Sequence, residues 1–482
     1  MARGHRSHSG RFLRIATVTS VVLVLVLAVV AYQLDLGSRW LALDTPSPVT
    51  EPAEVAPPPD LTLPTANPAP PVAEQTSGQD AAPRKVRRAL AGLVKDRDLG
   101  RHVAVSVSQL SDGSSLYRTG EGVVTPASTM KLLTAEAALA ALGPGHRFRT
   151  TVVTGPSARR IVLMGGGDPF LERAPVTDDD VYPARADLGT LAEGTARSLA
   201  ERGRTVVRLK YDTSLFAGPA VSPDWESSYV QDDVVTPVSP LWVNEGREVS
   251  GEVTRTGNPA ADAAQQFAKA LARQDITVLG DPTRTRAPAG AEELAAVESA
   301  PLAQIVQGVL EVSDNEAAEV LFRHVALAEG QPGSFADGSV AVRRVLKRLG
   351  VDMAQARIVD GSGLSRRNRL APATLLSVIE VAAGSEHLGV RSVITSLPTA
   401  GFNGSLAYRF ETGDVRGPGR VRAKTGTLTG VHGLAGVVTD RDGTQLGFVA
   451  IADRVKVRDT LDARAAVDEI AAALAGCSCG TT

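Results

Sequence analysis

Matching strand patterns at the two ends of the folded part of the chain place the strongest constraint on its fold. Near the start, residues 102–108 alternate like a strand, and residues 115–118 follow a Ser-Asp-Gly turn as its antiparallel partner. Near the end, three strands are predicted at residues 420–428, 431–439 and 445–452, followed by an alanine-rich helix over 461–474. Amphipathic helical patterns dominate the stretch from residue 302 to residue 383. We therefore expect an α+β fold, with one antiparallel sheet built from both chain ends and flanked by helices.

The stretch between residues 151 and 295 has a different pattern of predicted secondary structure. Short strand-like segments, such as 160–164 and 205–209, alternate with loops rich in Gly, Pro and Asp. Residues 165–169 lack the lysine and the Ser/Thr of a phosphate-binding loop, so we interpret them as a tight turn. The pattern predicts a β-rich domain at 151–295, inserted into a surrounding domain made of residues 84–150 and 296–475.

The N-terminal residues predict a membrane-directed segment and a linker. Residues 1–14 form a basic tail, and residues 15–34 form an apolar run that approaches the length of a bilayer span. Positive charge before the run places the tail in the cytoplasm and the rest of the chain outside. Both an uncleaved transmembrane anchor and a signal segment fit this pattern. Residues 35–83 are rich in proline and are expected to be a disordered linker.

Composition and cysteine usage exclude some classes of partner. A net charge of only −2 over 482 residues gives no reason to invoke nucleic acid. The two cysteines, Cys477 and Cys479, lie in a small polar segment at 476–482 that we expect to be a flexible tail. Two thiols are too few to hold a metal, and no His-Glu-x-x-His is present. We predict no metal and no organic cofactor.

Ser128 and Lys131 form the first candidate pair for catalysis. They are three residues apart at the start of a predicted helix, and positions i and i+3 lie on one face of a helix. A serine hydroxyl is a poor nucleophile until a base removes its proton. A lysine amine becomes such a base when burial or a neighbouring cation lowers its pKa. The pair therefore predicts an activated serine with its base one helical turn away.

Two further motifs follow in a set order along the chain. Ser313-Asp314-Asn315 lies at a break between two predicted helices, and Lys424-Thr425-Gly426 lies on a predicted strand. A Ser-x-x-Lys, Ser-Asp-Asn, Lys-Thr-Gly series is known from penicillin-binding proteins and class A β-lactamases. Each motif alone has an ordinary explanation, as a helix cap or a solvated strand lysine. All three in this order, each in the expected local setting, favour a catalytic site.

The second and third motifs carry groups that acyl transfer requires. We expect Ser313 to relay a proton to the leaving amine and Asn315 to hold the peptide amide of the substrate. Lys424 is a second cation, which should depress the pKa of Lys131 and attract a substrate carboxylate.

Backbone groups complete the expected site. Gly426 lets its strand lie close against a substrate. The backbone N–H groups of Ser128 and Thr427 are placed to form an oxyanion hole.

The sequence resembles the class C low-molecular-mass penicillin-binding proteins, which are D-alanyl-D-alanine carboxypeptidases and endopeptidases. The resemblance runs from about residue 85 to the C-terminal helix and includes further family-like stretches at 163–169, 360–366, 397–402 and 423–428. It implies a penicillin-binding/β-lactamase-like transpeptidase fold. It also implies that Thr425, Gly426 and Thr427 bind substrate, and that Ser128, Lys131, Ser313, Asn315 and Lys424 are catalytic.

This resemblance further implies a serine DD-peptidase that acts on peptidoglycan stem peptides through an acyl-enzyme on Ser128. Such an enzyme removes the terminal D-Ala, hydrolyses cross-links, or does both, and is covalently inhibited by β-lactams. The expected location is the extracytoplasmic face of the bacterial cell membrane, or the cell wall if the N-terminal segment is cleaved.

Two alternatives stay open. A β-lactamase-like hydrolase would use the same motifs, although class A enzymes add a glutamate that activates water, and no Glu-x-x-Leu-Asn stretch is present. A catalytically inactive wall-binding protein would keep the same fold, although all five reactive side chains are present here.

Overall fold

A computed structural model describes residues 80–176, 181–247, 253–384, 386–411 and 415–481. The chain divides into two compact units, Met1–Glu74 and Gln75–Thr482, and the described residues all belong to the second. The predicted basic tail, the apolar segment and the linker up to residue 79 lie outside the described residues. Within the described ranges, none of the helices is both long and apolar enough to cross a membrane.

A five-stranded antiparallel sheet joins the two ends of the described chain. Its strands are Val103–Gln109 (β1), Ser115–Thr119 (β2), Val421–Leu428 (β9), Val431–Thr439 (β10) and Gln445–Ala452 (β11). The strand order is β2-β1-β11-β10-β9, so the first strand pairs directly with the last. This order confirms the predicted sheet. Side chains alternate along β1, so Val105 and Val107 are buried on one face of the sheet and Ala104 is buried on the other.

Helices cover both faces of this sheet. Those outside the inserted domain run over Pro83–Leu90 (α1), Met130–Leu142 (α2), Leu302–Val312 (α5), Asn315–Ala328 (α6), Phe335–Arg348 (α7), Pro372–Ala383 (α8), Ser392–Thr395 (α9) and Thr460–Gly476 (α10). Helices α1 and α10 pack on the face that carries Val105, and α2 and α8 lie on the opposite side. Fully buried side chains such as Phe448 and Leu132 each stabilise the fold by about 1.5–3 kcal/mol.

The inserted domain is a mixed α/β unit rather than the β-rich one predicted. Its strands are Arg149–Thr154 (β3), Arg160–Met164 (β4), Val206–Asp212 (β5), Thr277–Val278 (β6), Thr283–Arg284 (β7) and Glu293–Glu298 (β8). Two helices, Leu188–Glu201 (α3) and Pro259–Ala272 (α4), pack against them. Strands β4 and β5 are parallel, and a parallel pair needs a long crossover, which here contains α3.

The C-terminal segment is not the flexible tail that the sequence suggested. Cys477 and Cys479 form a disulfide, and Cys479 is fully buried. The backbone N–H of Cys479 donates to Asp440 Oδ2 at 3.1 Å, and that of Thr481 donates to Asp80 O at 2.8 Å. These acceptors hold the segment against the sheet domain, and Asp80, in the predicted linker, takes part in this contact.

Candidate active site

Ser128 lies in a short 3₁₀ turn, Ala127–Thr129, that leads directly into α2. The turn is strained, since Ala127 has a φ of 47°. Gly363 allows this conformation, because a Cβ there would lie 1.9 Å from Ala127 O. Ser128 itself is half-buried, so its hydroxyl is fixed by the backbone but still reachable from solvent.

Lys131 is fully buried and contacts Ser128 directly. Its Nζ donates to Ser128 Oγ at 3.0 Å, to Asn315 Oδ1 at 2.8 Å and to the backbone carbonyl of Ser362 at 2.9 Å. Three acceptors match the three N–H donors of an ammonium group. Burial lowers the pKa of Lys131 to about 8, against the opposing effect of nearby carboxylates such as Asp314. The amine is therefore able to lose its proton near neutral pH and to accept one from the serine.

Lys424 lies on β9 and is also fully buried. Its Nζ donates to Thr425 O at 3.1 Å and to Thr425 Oγ1 at 3.3 Å. Burial, followed by repulsion from Lys131, holds the pKa of Lys424 well below its usual range. This corrects the predicted cause of the Lys131 shift. Burial is the largest cause of the lowered pKa of Lys131, and repulsion between the two lysines contributes to the lowered pKa of Lys424.

The second motif joins α5 to α6. Ser313 follows α5 in the left-handed conformation, with a φ of 66°, and Asp314 caps α6 by accepting from Ala317 N at 2.8 Å. This turn presents Asn315 to Lys131. Among the hydrogen bonds of the described residues, none joins the Ser313 hydroxyl to Ser128 or to either lysine. The structure therefore brings Ser128, Lys131 and Asn315 together and leaves Ser313 beside them.

The carbonyl of Ser362 is a site group that the sequence analysis missed. Glu319, one helical turn after Asn315, accepts from Gly361 N at 2.9 Å and from Ser362 N at 2.8 Å, which fixes this carbonyl on Lys131. Burial and the neighbouring Asp360 raise the pKa of Glu319 to about 8. Only the family-like stretch at 360–366 pointed to this segment.

Gly426 also allows a close approach within the protein itself. A Cβ at this position would lie 2.8 Å from Pro126 O and 3.1 Å from Thr129 Cγ2. The missing side chain therefore lets β9 approach the turn that carries Ser128. This close approach brings the third motif up to the nucleophile.

A cavity of about 530 Å³ opens beside β9. Thr425 and Thr427 line it, together with His432, Arg409 and Arg464. His432 is 2% exposed, and within the described structure neither of its ring nitrogens has a hydrogen-bond partner. Burial, with the nearby charges of Arg409 and Arg464, lowers the pKa of His432. The cavity therefore offers hydroxyls, an unpaired imidazole and positive charge next to the third motif.

A second group of contacts joins the inserted domain to the rim of the site. Arg366 Nε donates to Glu226 Oε1 at 3.0 Å, and Arg366 Nη2 donates to Thr429 O at 2.8 Å. Trp225 Nε1 donates to the buried Asp360 at 2.9 Å.

In the described ranges, no group of three or more His, Cys, Asp or Glu side chains could hold a metal ion.

Comparison with known proteins decides the family. The model of the D-Ala-D-Ala carboxypeptidase 3 (S13) family matches residues 86–257 and 247–474. The chain belongs to this family. It is therefore a D-Ala-D-Ala carboxypeptidase, as the resemblance implied. The two matched ranges overlap, and together they cover the whole inserted domain and nearly all of both parts of the sheet domain.

Relatives of this S13 chain include two mycobacterial carboxypeptidases. One, from Mycobacterium tuberculosis, is 38% identical over 418 residues, which cover 85% of this chain and 87% of that protein. Carboxypeptidase DacB of Mycolicibacterium smegmatis is 35% identical over 469 residues, covering 95% and 96%. The crystal structure of penicillin binding protein 4 from Haemophilus influenzae has a TM-score of 0.64 at 23% identity, covering 79% of this chain and 97% of that one. This similarity confirms the penicillin-binding fold.

Proposed function

We propose that the chain is a serine DD-peptidase that acts on peptidoglycan stem peptides through an acyl-enzyme on Ser128. The observation that carries the proposal is the 3.0 Å contact between Lys131 Nζ and Ser128 Oγ, made by a buried lysine whose pKa is about 8. An activated nucleophile needs such a base within hydrogen-bond reach. Neutral Lys131 takes the hydroxyl proton, and Ser128 Oγ attacks the carbonyl carbon of the penultimate D-Ala.

The negative oxygen of the resulting tetrahedral intermediate is stabilised by the backbone N–H groups of Ser128 and Thr427. Collapse of the intermediate breaks the peptide C–N bond, and the leaving amine needs a proton. Ser313 relays this proton from Lys131, which returns the base to its neutral form. Water then attacks the ester carbon and gives a proton to Lys131; when the second intermediate collapses, the ester C–O bond breaks and Lys131 returns this proton to Ser128 Oγ.

The substrate is held from both sides of the cleft. Asn315 keeps its Oδ1 on Lys131 and binds the peptide amide of the substrate with its Nδ2, and the edge of β9 at Thr425, Gly426 and Thr427 binds the terminal D-Ala. The cavity beside β9 supports this assignment, because a carboxylate there would meet two threonine hydroxyls and the positive charge near His432. A β-lactam presents the same carboxylate and a strained amide, so it acylates Ser128 and is released slowly. A β-lactam complex is known for the Haemophilus influenzae protein.

Acylation should depend on pH through Lys131. Because the neutral amine is the base and its pKa is about 8, the rate constant for acylation should rise about tenfold per pH unit below pH 8 and level off above it. Measuring acylation by a fluorescent penicillin from pH 6 to 9.5 tests this. Glu319→Gln is the control, since it removes the other nearby group with a pKa of about 8; the rising limb should persist but move to lower pH, because the Glu319 charge raises the pKa of Lys131. A rate that does not change with pH would contradict the assignment of Lys131 as base.

The proposed location is the outer face of the cytoplasmic membrane. It rests on the basic residues 1–14 and the apolar residues 15–34. In cell fractionation, the full chain should be found in the membrane and be digested by protease added to spheroplasts. Deleting residues 2–34 should leave a cytoplasmic protein that is resistant to this treatment. A full chain that stays in the cytoplasm would refute the proposed location.

A further inference from the structure

The inserted domain contacts the second catalytic motif through a buried ion pair. Arg255 Nε donates to Glu316 Oε1 at 2.7 Å, and the two side chains are only 9% and 3% exposed. The backbone N–H of Thr236 donates to the same oxygen at 3.3 Å. Glu316 directly follows Asn315 in the first turn of α6, so this ion pair lies one residue from a side chain that contacts Lys131.

Arg255 is also held in place by hydrogen bonds within its own segment, apart from its contact with Glu316 on α6. Its backbone N–H donates to Asp233 Oδ1 at 2.8 Å, and its Nη1 donates to the carbonyls of Asp233 and, at 2.9 Å, Val253. Thr236 is fixed as well, because its hydroxyl donates to Glu245 O at 2.7 Å. A guanidinium held on several sides loses little further freedom when it binds a carboxylate. The segment is therefore built to present Arg255 to Glu316.

The same segment also brings a carboxyl group close to Asp314. The side chains of Glu245 and Asp314 line one cavity between the inserted domain and the start of α6. Burial and the charge of Asp314 raise the pKa of Glu245 well above its usual range. The backbone here is strained, with a φ of 56° at Glu245, and a Cβ on Gly246 would lie 2.3 Å from Thr236 Cγ2. Strain of this kind persists only where the surrounding contacts fix the geometry.

We propose that residues 233–247 and 253–255, here called the insert clamp, position the second catalytic motif. The clamp binds Glu316 through Arg255 and Thr236, places Glu245 close to Asp314, and thereby holds Asn315, which lies between these two acidic residues, against Lys131. Arg255, Glu245 and Glu316 are positioning residues, since none of them touches Ser128 or Lys131 in the described hydrogen-bond network. This inference rests on the role proposed above for the second motif. It gives the inserted domain a part in catalysis beyond lining the cleft.

The test compares acylation rates of full-length variants with the fraction of folded protein. Arg255→Met should lower the second-order rate constant for acylation by a fluorescent penicillin about 10–100-fold, because displacements of about 1 Å have effects of this size. Arg255→Lys should recover part of the rate, since an ammonium can still reach Glu316. Arg202→Met is the matched control, because it removes a more exposed Arg–Glu pair from the same domain and should leave the rate unchanged.

Glu316→Gln covers the case in which Arg255→Met does not fold. Its amide oxygen can still accept from Arg255, so the variant should fold and should lose about 3–10-fold in rate, given the weaker neutral hydrogen bond. Circular dichroism at the assay temperature gives the folded fraction. Wild-type rates in folded Arg255→Met or Glu316→Gln would overturn the insert clamp. A wild-type chain that penicillin does not acylate would overturn the proposed function, and the clamp with it.

Discussion

Replacing Ser128 by alanine should abolish both D-Ala release and covalent labelling by penicillin. The change removes the only atom that forms the proposed acyl-enzyme, so the loss should be on the order of 10⁴-fold or more. Because Ser128 is half-buried and contributes one side-chain contact, to Lys131, the fold should persist. Release of D-Ala from a stem pentapeptide and gel fluorescence with a labelled penicillin measure the two losses, and thermal melting checks the fold.

Ser362→Ala is the matched control for Ser128→Ala. Ser362 is also a serine in contact with Lys131, but it offers its backbone carbonyl and not its hydroxyl. The alanine variant keeps this carbonyl and loses the interactions of the hydroxyl with Leu364 N and Glu319, so labelling of Ser128 and D-Ala release should persist, reduced by less than about tenfold. Stable labelling of Ser128→Ala, or loss of labelling only in Ser362→Ala, would show that the nucleophile lies elsewhere.

Replacing Lys131 by arginine should be nearly as damaging as removing the nucleophile. A guanidinium stays protonated in proteins, so it cannot accept the Ser128 proton. We expect acylation to fall about 10²–10⁴-fold, the range that general-base catalysis contributes. Raising the pH should not restore the rate, since no neutral amine forms. Stopped-flow acylation at pH 7 and pH 9 measures this.

One further variant at Lys131 and one control at Lys347 separate the loss of the base from a change of side-chain size. Lys131→Met removes the amine without adding bulk and should be inactive as well. This result would show that the larger size of arginine alone does not cause the loss in Lys131→Arg. Lys347→Arg, on the exposed end of α7, is the control for lysine-to-arginine exchange and should behave as wild type. Substantial acylation of Lys131→Arg at either pH would rule out Lys131 as the base.

The sheet domain was predictable because its signals are local. The hairpin of β10 and β11 has the predicted bounds, with an alternating pattern on both strands and Gly443 at a φ of 85° in the turn between them. Helix α7 begins at Phe335 because the Ser334 hydroxyl accepts from Asp337 N and caps it.

The inserted domain was less predictable because its helices depend on packing. Helix α3 contains Gly189 and Gly194, which weaken the helical pattern in the sequence. Gly194 allows close packing of α3 on β8, since a Cβ there would lie 3.2 Å from Ala295 Cβ. The ordered C-terminal segment was missed for a similar reason, since its acceptors at Asp440 and Asp80 lie far away in sequence.

Within the site, side chains were predictable and backbone groups were not. The motifs singled out Ser128, Lys131 and Asn315, and the structure brings these three together. A carbonyl such as that of Ser362 carries no sequence pattern, because every residue has one. The lowered pKa of Lys131 results mainly from burial, which a sequence motif does not reveal.

Mapping the adduct formed with a β-lactam tests the central claim most directly. The full-length chain is incubated with penicillin G, digested, and analysed by mass spectrometry, and the lifetime of the adduct is followed after the free drug is removed. We predict a penicilloyl group on Ser128 that persists for many minutes, together with D-Ala release that the drug blocks. An adduct on another residue, rapid turnover of penicillin without a lasting adduct, or no reaction at all would contradict the account.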